Sequence, residues 1–166
     1  MSLHYLIDGY NVLHQMPELS GQLDEQRRHL ILLIESRRPQ GSERNQVTVV
    51  FDGRSGYYGR AEASAVRVIF SLDESADDKI RRMVNESNRV REIVVVTDDR
   101  EIQRAVSAVG AKVEPVSRFL GRLDDAERKP RASGGKKQIS KTAESAINQE
   151  MAKIWLNKSR DRAAGD

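Results

Sequence analysis

The sequence predicts an α/β fold in which an open, mostly parallel sheet is flanked by helices. Short apolar runs alternate along the chain with segments of helical periodicity. Several of these runs are almost continuous in Val, Ile and Phe, which is typical of strands that are covered on both faces. In open parallel sheets, ligands bind beyond the carboxyl ends of the strands, where loops and helix N-termini meet.

Five strands and four helices account for the first 123 residues. The apolar runs predict strands over residues 3–7, 47–51, 66–70, 92–97 and 111–116. Helical spacing of apolar residues predicts helices near residues 22–38, 76–88, 99–109 and 117–122. This alternation of strand and helix is the order that βαβ units produce, so the sheet is expected to be parallel.

The composition changes after this body. The stretch 128–141 holds six basic residues and no acidic one, together with Pro, Gly and Ser, which predicts a basic, flexible linker over 124–141. Four apolar residues then share one helical face and predict an amphipathic helix over 142–160. They are Ile147, Met151, Ile154 and Trp155. The predicted organisation is therefore a domain over 1–123, a linker and a C-terminal helix.

The amino-acid composition excludes several classes of protein. The 166 residues include no cysteine, which excludes a disulfide framework, a zinc–thiolate site and a thiol nucleophile. No apolar stretch is long enough for a membrane span, and the N-terminus lacks the pattern of a signal peptide. A cytoplasmic protein is therefore expected. The net charge is +3, and residues 122–166 carry eleven basic and seven acidic residues, so the C-terminal part is the candidate for attracting a polyanion.

Carboxylates follow three of the predicted strands and also begin one predicted helix. They are Asp8, Asp52, the pair Asp77–Asp78 and the pair Asp98–Asp99. In a parallel sheet these positions share one edge, where crowded carboxylates repel one another and lose hydration. A single such residue is most simply a helix cap, but four positions at one edge favour a bound divalent cation. Ligands that are oxygen atoms alone suit Mg²⁺ or Mn²⁺.

Helical geometry separates the members of the first pair. In the helix 76–88, Asp77 lies roughly 70° from the centre of the apolar stripe, whereas Asp78 lies roughly 170° away at about 100° per residue. Asp78 follows Ser75 by three residues, which is the spacing of a capping box, and it can pair with Arg81 or Arg82. Asp77 is therefore the candidate ligand, and Asp78 remains an alternative.

The second pair follows the same pattern. Asp99 lies roughly 70° from the apolar stripe of the helix 99–109, whereas Asp98 resembles an N-cap with Glu101 three residues later. Asp99 is the candidate ligand, and Asp98 remains an alternative. Thr97 lies where its hydroxyl can hydrogen-bond a water on the cation, although it can also simply end its strand.

Four motifs in this order resemble the YacP-like family of the NYN domain, a branch of the PIN-like nucleases. The motifs are "LIDGYNVLH", "VVFDG", "SADDKI" and "VVVTDDREIQ", and the resemblance spans residues 3–123. It implies a PIN-like fold and a Mg²⁺- or Mn²⁺-dependent endoribonuclease. A metal-activated water that attacks phosphorus should leave 5′-phosphate and 3′-hydroxyl ends. The family's metal-site acids fall on Asp8, Asp77 and Asp99, while Asp52 and Asn11 match the polar residues of "FDG" and "DGYN". Some members of the family act on ribosome-bound RNA.

An acidic site needs positive charge nearby if it is to hold RNA. The segment "GRSGYYGR", residues 53–60, follows Asp52 directly. Its arginines can meet phosphates and its tyrosines can stack on bases. The residues concerned are Arg54, Tyr57, Tyr58 and Arg60. RNA, in solution or on the ribosome, is therefore the predicted partner, and the sequence leaves open whether the chain is a monomer or a homodimer.

Two other classes of function compete with a nuclease. Receiver domains and haloacid-dehalogenase-type phosphatases also carry acids at strand ends, but they require an acidic pair or an Asp-x-Asp sequence there. Asp8 is followed by Gly and Tyr, and Asp52 is followed by Gly and Arg. The other alternative is a protein that binds RNA or the ribosome and cleaves nothing, which the complete set of acids disfavours.

Overall fold

A five-stranded sheet lies between two layers of helices in the computed structural model, which describes residues 1–54 and 65–128. Strands β1 to β5 are His4–Asp8, Gln46–Phe51, Val66–Phe70, Ile93–Val96 and Lys112–Glu114. Helices α1 to α5 are Gly9–Leu13, Leu23–Arg37, Ala76–Asn85, Arg100–Ala108 and Val116–Arg128. A 3₁₀ turn, Val90–Glu92, precedes β4.

The sheet is parallel throughout the described residues. Its strand order is β3-β2-β1-β4-β5, and every neighbouring pair runs in the same direction. All five predicted strands are present, and the predicted α/β class with a parallel sheet and flanking helices is confirmed. The apolar character of β1, β2 and β4 reflects their burial between two helical layers.

Two apolar cores lie on opposite faces of this sheet because successive strand residues point to opposite sides. Tyr5 and Ile7 of β1 join the core beneath α1, α2 and α5. Leu6 joins the core beneath α3 and α4, where Ile80 and Ile102 are fully buried. Each such buried side chain contributes about 1.5–3 kcal/mol.

The structure differs from the sequence-based expectation at two places. Helix α1 was not predicted, because its five residues are too few to show a helical period. Helix α5 continues to Arg128, so the predicted start of the linker at residue 124 was wrong: Phe119 and Leu123 are buried and hold this helix on the domain. The predicted helix 142–160 lies outside the described residues. No helix in the described ranges is both long and apolar enough to cross a membrane.

Gly9 permits the close packing of α1 against β2. A Cβ atom at this position would lie 2.3 Å from Cε1 of Phe51, whose ring is fully buried. We expect Gly9→Ala to lower the free energy of unfolding by about 1–3 kcal/mol, because the ring must shift within a packed core. The measurement is urea denaturation. Gly121→Ala is the matched control: a Cβ atom there meets nothing within 4 Å, so this variant is expected to be neutral or slightly stabilising.

Candidate active site

The carboxyl edge of the sheet brings the predicted acidic residues together. Strands β2 and β3 lie on one side of β1, whereas β4 and β5 lie on its other side. The direction in which the chain adds strands to the sheet therefore reverses between β1 and β4. Open parallel sheets bind ligands in the crevice at such a reversal. Ile7 is paired with Val96, so Asp8 and Thr97 emerge side by side at this crevice.

Asp8 is the most deeply placed carboxylate of the edge, with only 5% of its surface exposed. Its oxygens accept long hydrogen bonds, from the backbone N–H of Asn11 at 3.4 Å and from the hydroxyl of Thr97 at 3.5 Å. Burial raises the pKa of Asp8, and the negative charges of Asp77 and Asp99 raise it further. The hydrogen bonds from Asn11 and Thr97 lower the pKa but do not cancel this rise. The site therefore holds a carboxylate whose negative charge is poorly compensated by the protein.

Asp77 and Asp78 have different surroundings, as the helical angles predict. Partial burial raises the pKa of Asp77, as does the charge of Asp99, whereas Arg81 lowers it. Asp78 is bonded to Ser75, whose hydroxyl donates to its carboxylate at 2.9 Å and accepts from its backbone N–H at 3.0 Å. The predicted cap at Ser75 is confirmed, and the predicted ion pair forms with Arg81 at 3.9 Å.

The capping prediction for the second pair was wrong. Asp99, not Asp98, is the N-cap of α4: its Oδ1 accepts from the N–H groups of Glu101 at 2.8 Å and Ile102 at 3.1 Å. Asp98 instead accepts from the N–H of Val116 at 2.9 Å, at the start of α5, and from the side chain of Gln15. The negative charge of Asp99 nevertheless raises the pKa of both Asp8 and Asp77, so Asp99 lies close enough to act on both carboxylates.

Asn11 and Thr97 form hydrogen bonds that link neighbouring segments at the crevice. The Oδ1 atom of Asn11 accepts from the N–H of Asp98 at 3.0 Å, which fixes the orientation of the amide. Its NH₂ group donates no hydrogen bond within the described part of the chain and is available to a ligand. Thr97 is fully buried. Its hydroxyl accepts from the N–H of Asp99 at 3.1 Å and donates to Asp8, so it links two of the acids.

Asp52 lies at the outer rim of the same edge. It is exposed, and its charge contributes to the raised pKa of Asp77. Its Oδ1 accepts from the hydroxyl of Ser71 at 3.0 Å, and that hydroxyl also accepts from the N–H of Gly53 at 3.1 Å. Ser71 was not predicted as a site residue from the sequence. Its position directly after β3 was the available signal, because the end of that strand lies beside the end of β2.

A buried arginine beneath the rim was also missed. The Arg27 guanidinium lies 5.3–5.4 Å from the ring centroids of three aromatic residues, and it donates to the hydroxyl of one of them and to Asp24. The three rings are Tyr10, Phe51 and Phe70. The Tyr10 hydroxyl in turn donates to the backbone carbonyl of Asp52 at 3.5 Å. Arg27 shares a helical face with the buried Leu30 and Ile34, and a basic residue on an apolar face was the signal.

The predicted RNA-binding segment is described only in part. Arg54 is exposed and pairs with Asp73 at 2.7 Å. The other three predicted contacts, Tyr57, Tyr58 and Arg60, lie outside the described residues. Their contribution to binding stays a prediction.

Residues 5–161 match the family model of the YacP-like NYN domain. The chain belongs to this family. A crystal structure of Rae1 (YacP) from Bacillus subtilis matches with a TM-score of 0.64 and 26% identity, covering 98% of this chain and 92% of that one. The structure of a point mutant of the same protein matches with a TM-score of 0.60 and 26% identity, covering 96% and 89%. A comparison with curated protein sequences found no match.

Membership in the YacP-like NYN family gives the chain a ribonuclease-family fold. RNA is the class of substrate that this family implies. The family match reaches residue 161, which is well beyond the resemblance predicted from the motifs over 3–123. The match therefore includes the residues over which the linker and the C-terminal helix are predicted.

PIN-like nucleases, to which the NYN family is related, generally use divalent metal ions. Within residues 1–54 and 65–128, no three His, Asp or Glu side chains form a ready-made metal cluster. Mg²⁺ nevertheless keeps several water ligands and is usually bound through only one or two carboxylates. The deeply buried Asp8, beside Asp77 and Asp99, fits such a hydrated ion in charge and in ligand chemistry.

Proposed function

We propose that this chain is a metal-dependent endoribonuclease that hydrolyses phosphodiester bonds of RNA. The observation that carries the proposal is the crevice between β1 and β4, where burial and the charges of Asp77 and Asp99 raise the pKa of Asp8. A fold gains nothing from crowding carboxylates in this way, since each lost hydration shell and each repulsion opposes folding. Such an arrangement is typical of a functional site.

Mg²⁺ or Mn²⁺ is the cofactor that we propose for this crevice. Asp8, Asp77 and Asp99 would hold the ion, and Asp52 would act from the rim, either directly or through a water molecule. When bound, the ion supplies charge neutralisation at the phosphate oxygens and a water molecule of lowered pKa.

The chain's own side chains orient the substrate in this proposal. The NH₂ group of Asn11 donates to a non-bridging phosphate oxygen, because its carbonyl oxygen is already held by the N–H of Asp98. The Thr97 hydroxyl keeps Asp8 in place. Attack by a water oxygen on phosphorus breaks the bond to the 3′ oxygen, which takes up a proton. The products carry a 5′-phosphate and a 3′-hydroxyl, and the ribose 2′-hydroxyl takes no part.

The proposal includes action on messenger RNA at the ribosome, which would place the activity in the cytoplasm. It rests on the family resemblance, since some YacP-like proteins act on ribosome-bound RNA. A ribosome can supply RNA in a fixed, single-stranded form, which an acidic site does not provide alone.

The test is cleavage of a labelled RNA pool by the purified full chain. We expect cutting with Mg²⁺ or Mn²⁺, none with a chelator, and recovery when the ion is restored. Mapping of the ends should give 5′-phosphates, which a 2′-hydroxyl mechanism does not produce. Parallel reactions contain translating ribosomes. Cutting only in those reactions would identify the ribosome as the platform, whereas RNA binding without cutting in any reaction would identify a silent binding protein and contradict the proposal.

A further inference from the structure

Leu72 has a backbone conformation that leucine rarely adopts. Its φ angle is +64°, and it follows Ser71 in the turn Ser71–Glu74, where the N–H of Glu74 donates to the carbonyl of Ser71. A positive φ at this position of a turn is usually taken by Gly, Asn or Asp, because a larger side chain meets its own backbone. Leucine at this place therefore opposes folding.

Several bonds to the segment Phe51–Arg54 hold this turn in its strained form. The N–H of Leu72 donates to the carbonyl of Gly53 at 3.0 Å, and the N–H of Ser71 donates to the carbonyl of Phe51 at 3.0 Å. The Ser71 hydroxyl contacts Asp52 and Gly53, and Arg54 pairs with Asp73. A strained conformation persists only where its surroundings determine it in this way, and such positions concentrate at functional sites.

Packing does not account for the leucine. Its side chain is 58% exposed, the highest value among the internal large apolar residues of the described chain. It belongs to neither of the two apolar cores. A glycine or asparagine would satisfy the turn, and within residues 1–54 and 65–128 neither apolar core requires a leucine there.

Leu72 lies on the rim of the acidic crevice. The preceding residue, Ser71, binds the carboxylate of Asp52, and three residues later Ser75 begins the helix that carries Asp77. The leucine side chain offers a phosphate neither a positive charge nor a hydrogen-bond donor. The flat face of an unstacked nucleobase is apolar and uncharged, and single-stranded RNA offers such faces.

We propose that Leu72 contacts a nucleobase next to the scissile phosphate and fixes the register of the RNA over the crevice. The proposal rests on the proposed function, since it takes RNA as the ligand. It adds a specificity-determining residue that contacts a base of the RNA rather than its charged phosphate backbone.

The test measures RNA binding and thermal stability separately. The background is the full chain with Asp77→Asn, which removes one repelling charge and is expected to prevent cleavage. Oligoribonucleotides that each lack one base at a successive position are compared with the intact strand by fluorescence anisotropy. We expect the loss of one particular base to weaken binding to the parent about tenfold. Leu72→Asn should weaken binding of the intact strand by the same factor. In Leu72→Asn, binding should no longer depend on which base is missing.

Three variants separate a contact from a structural effect. Leu72→Asn keeps the size of the side chain and accepts a positive φ, so its melting temperature is expected to equal that of the parent or to exceed it by up to about 3 °C. Leu72→Met keeps an apolar side chain and should bind within about twofold of the parent. Leu32→Asn makes the same change at an exposed leucine of α2 and should leave RNA binding unchanged.

Each other outcome overturns the inference. Equal binding by the parent and Leu72→Asn, or equal binding of all the base-deleted strands, would show that Leu72 contacts no base. A lower melting temperature for Leu72→Asn would assign the side chain to the fold. Failure of the proposed function is distinguishable, because the wild-type chain would then cleave no RNA. If only the inference about Leu72 fails, the wild type and Leu72→Asn cleave RNA equally.

Discussion

Asp77→Asn is expected to lower the rate of RNA cleavage about a thousandfold, whereas Asp78→Asn leaves it within about threefold of the wild type. The two residues are adjacent in α3 and carry the same charge. The charge of Asp99 acts on Asp77, while Asp78 accepts a hydrogen bond from Ser75, the N-cap of the helix. In the proposed mechanism Asp77 would hold the metal ion, and loss of such a ligand removes several kcal/mol of transition-state stabilisation.

Single-turnover cleavage with saturating Mg²⁺ or Mn²⁺ measures this difference. Asp78→Asn is the matched control for charge and for the integrity of α3. It weakens an exposed ion pair to Arg81 at 3.9 Å and a favourable charge at the start of the helix, together about 0.5–1 kcal/mol of stability, while the amide oxygen can still accept from the Ser75 hydroxyl. Similar losses in both variants would contradict the assignment, as would full activity of Asp77→Asn.

Asp8→Asn is expected to abolish cleavage and at the same time to stabilise the metal-free protein. The amide keeps an acceptor for the N–H of Asn11 but carries no charge, so it avoids the repulsion and lost hydration that raise the pKa of Asp8. Relief of such functional strain typically adds about 1 kcal/mol to the free energy of unfolding. Urea denaturation in the presence of a chelator measures the gain. A loss of stability would show that Asp8 has a structural role.

The gain should depend on pH in a defined direction. The folded state binds a proton at Asp8 more tightly than the unfolded chain does, because its pKa is raised above the ordinary value of 3.8. The stability that protonated Asp8 provides is complete below that ordinary value and is lost as the pH rises through the raised pKa. The difference between Asp8→Asn and the wild type should therefore be small at pH 4 and grow towards pH 8. A difference that is constant over this range would contradict the assignment.

The sequence determined the strands and most helices, because these depend on local periodicity. The apolar runs of β1, β2 and β4 are readable without knowledge of their partners, and their parallel order places Asp8, Asp52 and Asp99 at one edge. The separation of Asp77 from Asp78 was also predictable. Its cause is the spacing of three residues between Ser75 and Asp78, a contact within one helical turn.

Only the tertiary structure decided the roles of Asp98 and Asp99. Both residues have a local pattern that suits a helix cap, and the outcome depends on partners that are distant in the chain. Gln15 lies 83 residues from Asp98, and Val116 lies 18 residues from it. Those two partners donate to the carboxylate oxygens of Asp98, and Asp99 is the residue that caps α4. The same reason applies to Arg27, whose three aromatic neighbours meet only when β2, β3 and α1 pack together. Side-chain hydrogen bonds and ring contacts of this kind follow from the packing of whole elements, which no local pattern specifies.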